Sequence, residues 1–220
     1  MEAIVERQPL DQIIAELTKE RFLRKTNNAN NEVYIFDYNE SPVLMHEVGR
    51  VRELTFRHAG GGTGNSIDID KYDTAAEDPQ KQLIVWDPEH RKVIGGYRFY
   101  FPPKGCVKCD ITKLASSEYF NFSRKFLTRF YPYVMELGRS FVHPEYQSAA
   151  RGRKSLFALD NLWDGLGALI IENNHIKYLF GKVTMYPHFN QNARNMILYF
   201  LKKHFRDPDR LVTPIMPAEI

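Results

Sequence analysis

Cysteine, long apolar runs and net charge are all scarce in this chain, and each shortage removes a class of protein. Of 220 residues only Cys106 and Cys109 are cysteines, held close together in GCVKCD. A CxxC pair is half a zinc site or a redox motif. Zinc wants four ligands, and there is no second CxxC and no closely spaced histidine pair. A redox pair opens a helix after a strand, whereas this one follows the turn FPPKG. The two read as loop thiols, and no metal is expected. No apolar run approaches the ~20 residues of a membrane span. The opening MEAIVERQPLDQ is acidic and lacks the apolar core of a signal peptide, so a cytoplasmic protein is expected. A net charge of +3 does not call for nucleic acid. The glycine run GGGTGN lacks a following Gly-Lys-Ser/Thr, which excludes a P-loop. No internal repeat or low-complexity segment interrupts the chain.

What remains is ordinary globular material, 43% hydrophobic and 26% charged. At this length it can bury a proper core as one large domain or two small ones. Leu10, Ile13, Ile14 and Leu17 have helical spacing and predict a helix over 10–25. EVYIFDY reads as a strand. Ser41-Pro42 is a helix start, with the helix running to about Ala59. GGGTGN ends it as a mobile loop. KQLIVWD and VIGGYRFYF flank the short turn PEHRK and predict a hairpin. After an irregular stretch a helix is expected near 123–130. A further strand around Met135 to Val142 precedes a helix over about 155–173. IKYLFGKVTMY reads as another strand, and 188–205 as an amphipathic helix with Met196, Ile197, Phe200 and Leu201 on one face. The alternation of strands and helices predicts an α/β fold around a mixed sheet.

One stretch combines features that plain structure does not explain: MELGRSFVHPEYQSAARGRKS, residues 135–155. Glu136 and Arg139 sit in a strand, on opposite faces unless a bulge intervenes. A buried carboxylate is paired or changes its pKa. Glu136 is therefore either an ion-pair partner or a general base in a cleft. The strand leaves at a proline, passes Gly152, and meets a helix near Ser155. A strand–loop–helix junction aims backbone N–H groups and the positive helix end at an anion. Arg151, Arg153 and Lys154 oppose the macrodipole there, which an anionic ligand or partner explains.

With Val142, His143, Pro144 and the loop from Gln147 to Lys154, this stretch resembles the fourth strand and pyrophosphate loop of the GNAT acyltransferases. The loop has an extra residue and lacks a second glycine. Four ordered pairs make the resemblance more specific: Arg52 with Phe56; Asp70 with Asp73, Tyr72 between them; Gly95 and Tyr97 with Arg98; and Glu136 with Arg139. Together they are similar to the acyl-homoserine-lactone synthases and to the N-acyltransferases that make ornithine and glycine lipids. The lactone synthases carry a tryptophan before the Asp pair, where this chain has RHAGGGTGNSI. The lipid-forming branch is the closer match.

The resemblance implies an α/β, GNAT-like single domain over 1–220, with a mixed, mostly antiparallel central sheet flanked by helices and an N-terminal helical extension over 1–30. It implies transfer of a long, 3-hydroxylated acyl group from acyl carrier protein, or from acyl-CoA, to the α-amine of a glycine- or ornithine-type acceptor, with no permanently bound cofactor. Glu136 is the implied base, and backbone N–H groups among Gly138, Ser140 and Phe141 the oxyanion stabilisers. Gln147, Arg151, Gly152, Arg153, Lys154 and Ser155 are the implied donor-phosphate or carrier contacts. Arg52, Asp70, Asp73, Arg98 and Arg139 form a charged network that orders the N-terminal part or holds the acceptor, with Arg98 or Arg139 on its carboxylate. Tyr186 or Tyr199 either protonates the leaving thiolate or packs in the core. Phe99, Phe101, Leu137, Phe141, Leu156 and Leu159 are candidates for the acyl slot. A lipid product would bring the protein to the inner membrane surface, where the last helix, with LKKHFR beside its apolar face, either docks peripherally or packs as a core helix. The competing readings are a CoA-dependent acetyltransferase, a lactone synthase, and a non-catalytic module of the same fold.

Overall fold

The computed structural model describes the whole chain except residues 107, 148–152, 187 and 218–220, and gives the backbone alone for 153–156. The chain order is α1 (Leu10–Glu16), β1 (Phe22–Lys25), β2 (Glu32–Phe36), α2 (Pro42–His58), β3 (Lys81–Asp87), β4 (Lys92–Tyr100), β5 (Phe120–Phe122), α3 (Arg124–Arg129), β6 (Val134–Val142), α4 (Arg153–Glu172), β7 (Tyr178–Gly181), α5 (Gln191–His204) and β8 (Val212–Pro214). Strands run β1-β2-β3-β4-β6-β7 in a six-stranded sheet, and β5 pairs with β8. The pairs β1–β2, β2–β3 and β3–β4 are antiparallel. The fold class is the expected one, α/β with a mostly antiparallel sheet.

The chain groups into two compact units, Met1–Phe99 with Leu137–Asn174, and Tyr100–Glu136 with His175–Ile220. In the first, period-two alternation sorts the strands. Tyr34, Phe36, Ile84 and Trp86 face α1 and α2, joining Ile13, Leu44, Met45, Val48 and Val51 in one core. The opposite face packs on α4. There a Cβ on Gly165 would lie 3.0 Å from both Leu83 and Val33, so only a small residue lets the helix lie this close. Each large apolar side chain buried here stabilises the fold by about 1.5–3 kcal/mol.

The N-terminal helical extension is shorter than expected. α1 ends at Glu16, and Phe22–Lys25 is the edge strand β1. The helical apolar spacing stops at Leu17, and the segment beyond it pairs with β2, with Ala29 and Asn30 taking the left-handed turn of the hairpin. Ser41 makes no side-chain cap for α2. Glu16 does that work: its carboxylate accepts from the Val43 and Leu44 amides at 3.2 and 2.7 Å. The glycine loop is held rather than loose. Buried Glu53 accepts from Thr63 N at 2.9 Å, Thr63 Oγ1 at 2.8 Å and Gly64 N at 2.9 Å, and the positive φ of Gly62 and Gly64 allows that turn.

In the second unit, Tyr100, Leu114, Phe126, Tyr131 and Val134 form a separate core with Phe122 and Phe180 against it. Ser123 caps α3 by accepting from Phe126 N. Cys106 and Cys109 are joined as a disulfide, not left as two thiols: the turn brings their Cα atoms to 5.6 Å, within bridging range. The expected strand over 176–186 shortens to β7, and α5 buries none of its residues. Its apolar face is therefore not core packing.

Candidate active site

The helical spacing that buries Leu44, Val48 and Val51 also carries Arg52 inward from α2, where it has no exposed surface. A bare guanidinium there would be prohibitive, so the chain must supply counter-charges. It does so from the segment after the glycine loop. Asp68 N donates to Gly49 O at 3.1 Å, and a Cβ on Gly49 would stand 2.6 Å from Ile69. Glycine at 49 thus lets 67–69 cross directly over α2.

That crossing delivers three aspartates to three arginines. Arg52 Nη1 donates to Asp73 Oδ1 and Oδ2 at 3.1 and 3.2 Å, and Nη2 bonds Gln82 Oε1. Arg98, on β4, donates through Nη1 to Asp70 Oδ1 at 2.6 Å and Asp73 Oδ2 at 3.1 Å. Arg139, on β6, lies 2.9 Å from Asp68 Oδ2 through Nε and 3.1 Å from Asp70 Oδ2 through Nη2. Burial disfavours the Asp73 carboxylate, but Arg52 and Arg98 outweigh it and hold the group below its ordinary range. For Asp68 burial wins over Arg139 and Arg52, and its pKa is raised.

All five residues expected in the charged network are thus brought together. Asp68 and Gln82 belong to it as well and were not anticipated. The alternation Asp68-Ile69-Asp70 carried a signal, since it puts both acids on one side. Gln82 carried none: its role depends on β3 lying beside the crossing segment. Arg98 is 2% exposed and engaged by two carboxylates, so it is not the free fork for an acceptor. Arg139 is 27% exposed, beside Asp70 at 29%, and its Nη1 makes no hydrogen bond to the described residues.

Arg139 also has a φ of 48°. A non-glycine residue there is strained by roughly 1–3 kcal/mol, as functional sites often are. The alternation of β6 breaks at this point. Of the two roles open to Glu136, the ion pair with an arginine is not found among the described residues. Glu136, almost fully buried, accepts from Ala115 N at 2.7 Å and Ser116 N at 2.8 Å, capping the short 3-10 turn Ala115–Glu118.

Immediately after Arg139, Ser140, Phe141 and Val142 line a pocket of about 430 Å³ with Tyr97, Tyr146 and Leu159. Gly95 permits the close approach beside it, because a Cβ would lie 2.5 Å from Phe141 O. His143 N donates to Ile94 O at 2.7 Å. Burial lowers the His143 pKa, and its Nδ1 accepts from Glu145 N, fixing the turn. Tyr146 is anchored through its hydroxyl to Asp87 Oδ2 at 2.9 Å. A Cβ on Gly138 meets nothing within 4 Å. Open space therefore flanks the strand segment expected to supply oxyanion N–H groups.

The remaining expected residues scatter. Gln147 lines the pocket, but its amide donates to Val142 O at 2.6 Å rather than standing free for a phosphate. Arg151 and Gly152 lie outside the described residues, as do the side chains of Arg153, Lys154, Ser155 and Leu156; α4 begins at Arg153. Of the acyl-slot candidates, Phe141 and Leu159 line the pocket, Phe99 is core, Leu137 is half-buried, and Phe101 packs edge-on to His175 in the second unit. Tyr199 is exposed rather than core, and Tyr186 stacks on His188.

Residues 51–154 match a family model described as an acetyltransferase (GNAT) domain. The chain is 51% identical over 223 residues to a protein of Phocaeicola vulgatus named glycine N(alpha)-acyltransferase, covering 100% of this chain and 68% of that one. A protein of Bacteroides thetaiotaomicron with the same name is 53% identical over 220 residues, covering 99% of this chain and 64% of its own length. The chain thus spans about two thirds of the length of these relatives. The ordered Arg, Asp and Glu pairs, the pocket beside β6 and these similarities agree, and the chain belongs to the GNAT-superfamily N-acyltransferases.

Proposed function

We propose that this chain moves a long acyl group from a phosphopantetheine thioester to the α-amine of glycine. The observation that carries the reading is Arg139: a guanidinium 27% exposed, set at a left-handed φ in β6, gripped by Asp68 and Asp70 through one edge, with Nη1 left over. A free amino-acid carboxylate suits that remaining donor. Glycine is the acceptor in the name of both relatives.

The amine must lose a proton before it attacks. Glu136 is the proposed base, directly or through water. The two amides that hold it use one lone pair on each oxygen, and each oxygen has a second. Attack forms the C–N bond and places negative charge on the thioester oxygen. A backbone N–H between Gly138 and Phe141 is the proposed stabiliser. The first ammonium proton passes from Glu136 to solvent; the nitrogen of the tetrahedral intermediate then gives its second proton to Glu136, collapse breaks the C–S bond, and the thiolate leaves with that second proton. The acyl chain starts at the Phe141–Leu159 pocket. Acyl carrier protein is the proposed donor, with Arg151, Arg153 and Lys154 as contacts for its acidic surface, a salt-sensitive attraction. Acyl-CoA is the second donor. The protein works on the cytoplasmic side of the inner membrane, in amino-acid lipid biosynthesis.

The test is a mass-spectrometric assay. Acetyl-CoA, long-chain acyl-CoA and acyl carrier protein, with and without a 3-hydroxyl, are each offered with glycine, ornithine or serine. N-acylglycine from the carrier-bound donor is the expected product. Turnover of acetyl-CoA alone would overturn the reading, and lactone formed from S-adenosylmethionine would replace it with a signal synthase.

A further inference from the structure

Helix α5 is amphipathic in the inverted sense. Met196, Tyr199 and Phe200 are 73%, 63% and 53% exposed, and Ile197 and Leu201 are exposed beside them. At 100° per residue these five fall on one arc of the helix. Arg194, Asn195 and Leu198, on the other side, are the more covered residues. So the apolar arc faces outward. It continues past the helix end into Phe205, 70% exposed. Lys202, Lys203 and His204 make up the last turn, and Arg206 follows.

The charge of the chain is divided the same way. The unit that contains α5 has 13 Lys and Arg against 6 Asp and Glu, a net +7. The other unit has 17 against 21, a net −4. A small overall charge thus hides one strongly basic body. Among the described residues no helix is long and apolar enough to cross a membrane.

We infer that α5 lies in the interface of an anionic lipid bilayer, with Met196, Ile197, Tyr199, Phe200 and Leu201 at the acyl boundary and Lys202, Lys203 and Arg206 among the headgroup phosphates. An outward apolar face flanked by Lys and Arg is the pattern of an interfacial helix. Two copies of a +7 surface repel, which disfavours a second chain as the occupant. Beside its apolar side chains this face carries Asn192, Lys203, His204 and the Tyr199 hydroxyl, and α5 has no carboxylate, so its complement is an apolar layer edged with anionic headgroups. The inference rests on this unit alone and stands apart from the proposed chemistry, but it gives an N-acyl product a direct route into lipid.

The experiment is co-sedimentation of the full chain with vesicles of phosphatidylglycerol and phosphatidylcholine, against phosphatidylcholine alone, at low and high salt. The expected result is at least about tenfold stronger binding to the anionic vesicles, weakened by salt. Met196→Glu/Phe200→Glu should lower the partition coefficient at least about tenfold while leaving the thermal midpoint and transfer from a soluble short-chain donor unchanged. Lys202→Glu/Lys203→Glu should abolish the preference for anionic lipid. Met196→Cys or Phe200→Cys that resists labelling by a soluble thiol reagent without vesicles, under conditions where the unfolded chain is labelled, would overturn the inference, because protein would then cover the face. So would self-association in sedimentation velocity, or capture by an acidic carrier protein with no vesicle binding. Loss of acyl transfer with vesicle binding intact would sink the proposed chemistry and leave this inference standing.

Discussion

Arg52 and Asp73 meet with no exposed surface on either side chain, Nη1 3.1 Å from Oδ1. Arg98 holds the other oxygen of the same carboxylate, also at 3.1 Å. Asp73 is thus the hinge pin of the charged network, and Asp73→Asn would leave two buried guanidiniums short of a counter-charge. The expected loss is about 3–5 kcal/mol of stability in urea unfolding. A loss under about 1 kcal/mol would mean the network is not closed as described.

The same carboxylate sets an acid limb. Its folded pKa lies below the ordinary value of 3.8, because burial is outweighed by Arg52 and Arg98. Its stabilisation is therefore complete above the unfolded value and is lost as pH falls through the lower folded value. Asp68 has the opposite sign, its pKa raised by burial over the pull of Arg139, so its ionisation costs stability at neutral pH and protonation relieves that cost. Thermal midpoints from pH 7 down to pH 2 should fall less in Asp73→Asn than in the parent. An unchanged slope would contradict the assignment.

Arg139 combines a strained backbone with a free donor. Arg139→Gly relieves the left-handed φ and removes the fork. It should cost about 2–4 kcal/mol of stability, because buried Asp68 loses the guanidinium that pairs with it and about 1 kcal/mol of relieved strain offsets only part of that. Its KM for the amino-acid acceptor should rise at least about tenfold, and Arg139→Lys should recover only part of that. An unaltered acceptor KM in both variants would remove Arg139 from the acceptor site.

Glu136 carries two tasks in this reading, a cap and a base. Glu136→Gln turns an NH2 toward one of the two amides now donating to it, at a cost of about 1–3 kcal/mol. Turnover should fall by roughly 10²–10⁴-fold under conditions where circular dichroism shows the variant folded. A variant that loses stability but keeps turnover would leave Glu136 as a cap only.

Gly138 offers a probe that does not disturb the core. A methyl there meets nothing within 4 Å, so Gly138→Ala should shift stability by no more than about 0.5 kcal/mol. If the reacting thioester passes beside this strand, kcat should drop several-fold all the same. Full activity in Gly138→Ala and in a bulkier Gly138→Val would place the thioester elsewhere.

The sequence by itself determined the strand and helix order through most of the first unit, because Tyr34 with Phe36 and Ile84 with Trp86 recur at the strand period, and Leu44, Val48 and Val51 at the helical one. It also marked Arg52, Asp70, Asp73, Arg98 and Arg139, since ordered pairs at fixed spacings survive in the linear chain. It misjudged the N-terminal helix, where helical spacing at Leu10–Leu17 gave no warning that Phe22–Lys25 would pair as an edge strand. Only the tertiary structure decided who partners whom. Glu136 found two backbone amides instead of an arginine, Gln147 turned back to Val142, and Asp68 and Gln82 joined the network unannounced. Hydrogen bonds and ion pairs between residues far apart in sequence depend on which segments cross, and here that crossing is set by Gly49 leaving room for Ile69. The outward apolar face of α5 was equally hidden: periodicity gives a helix two faces, and only packing says which one turns away from the protein.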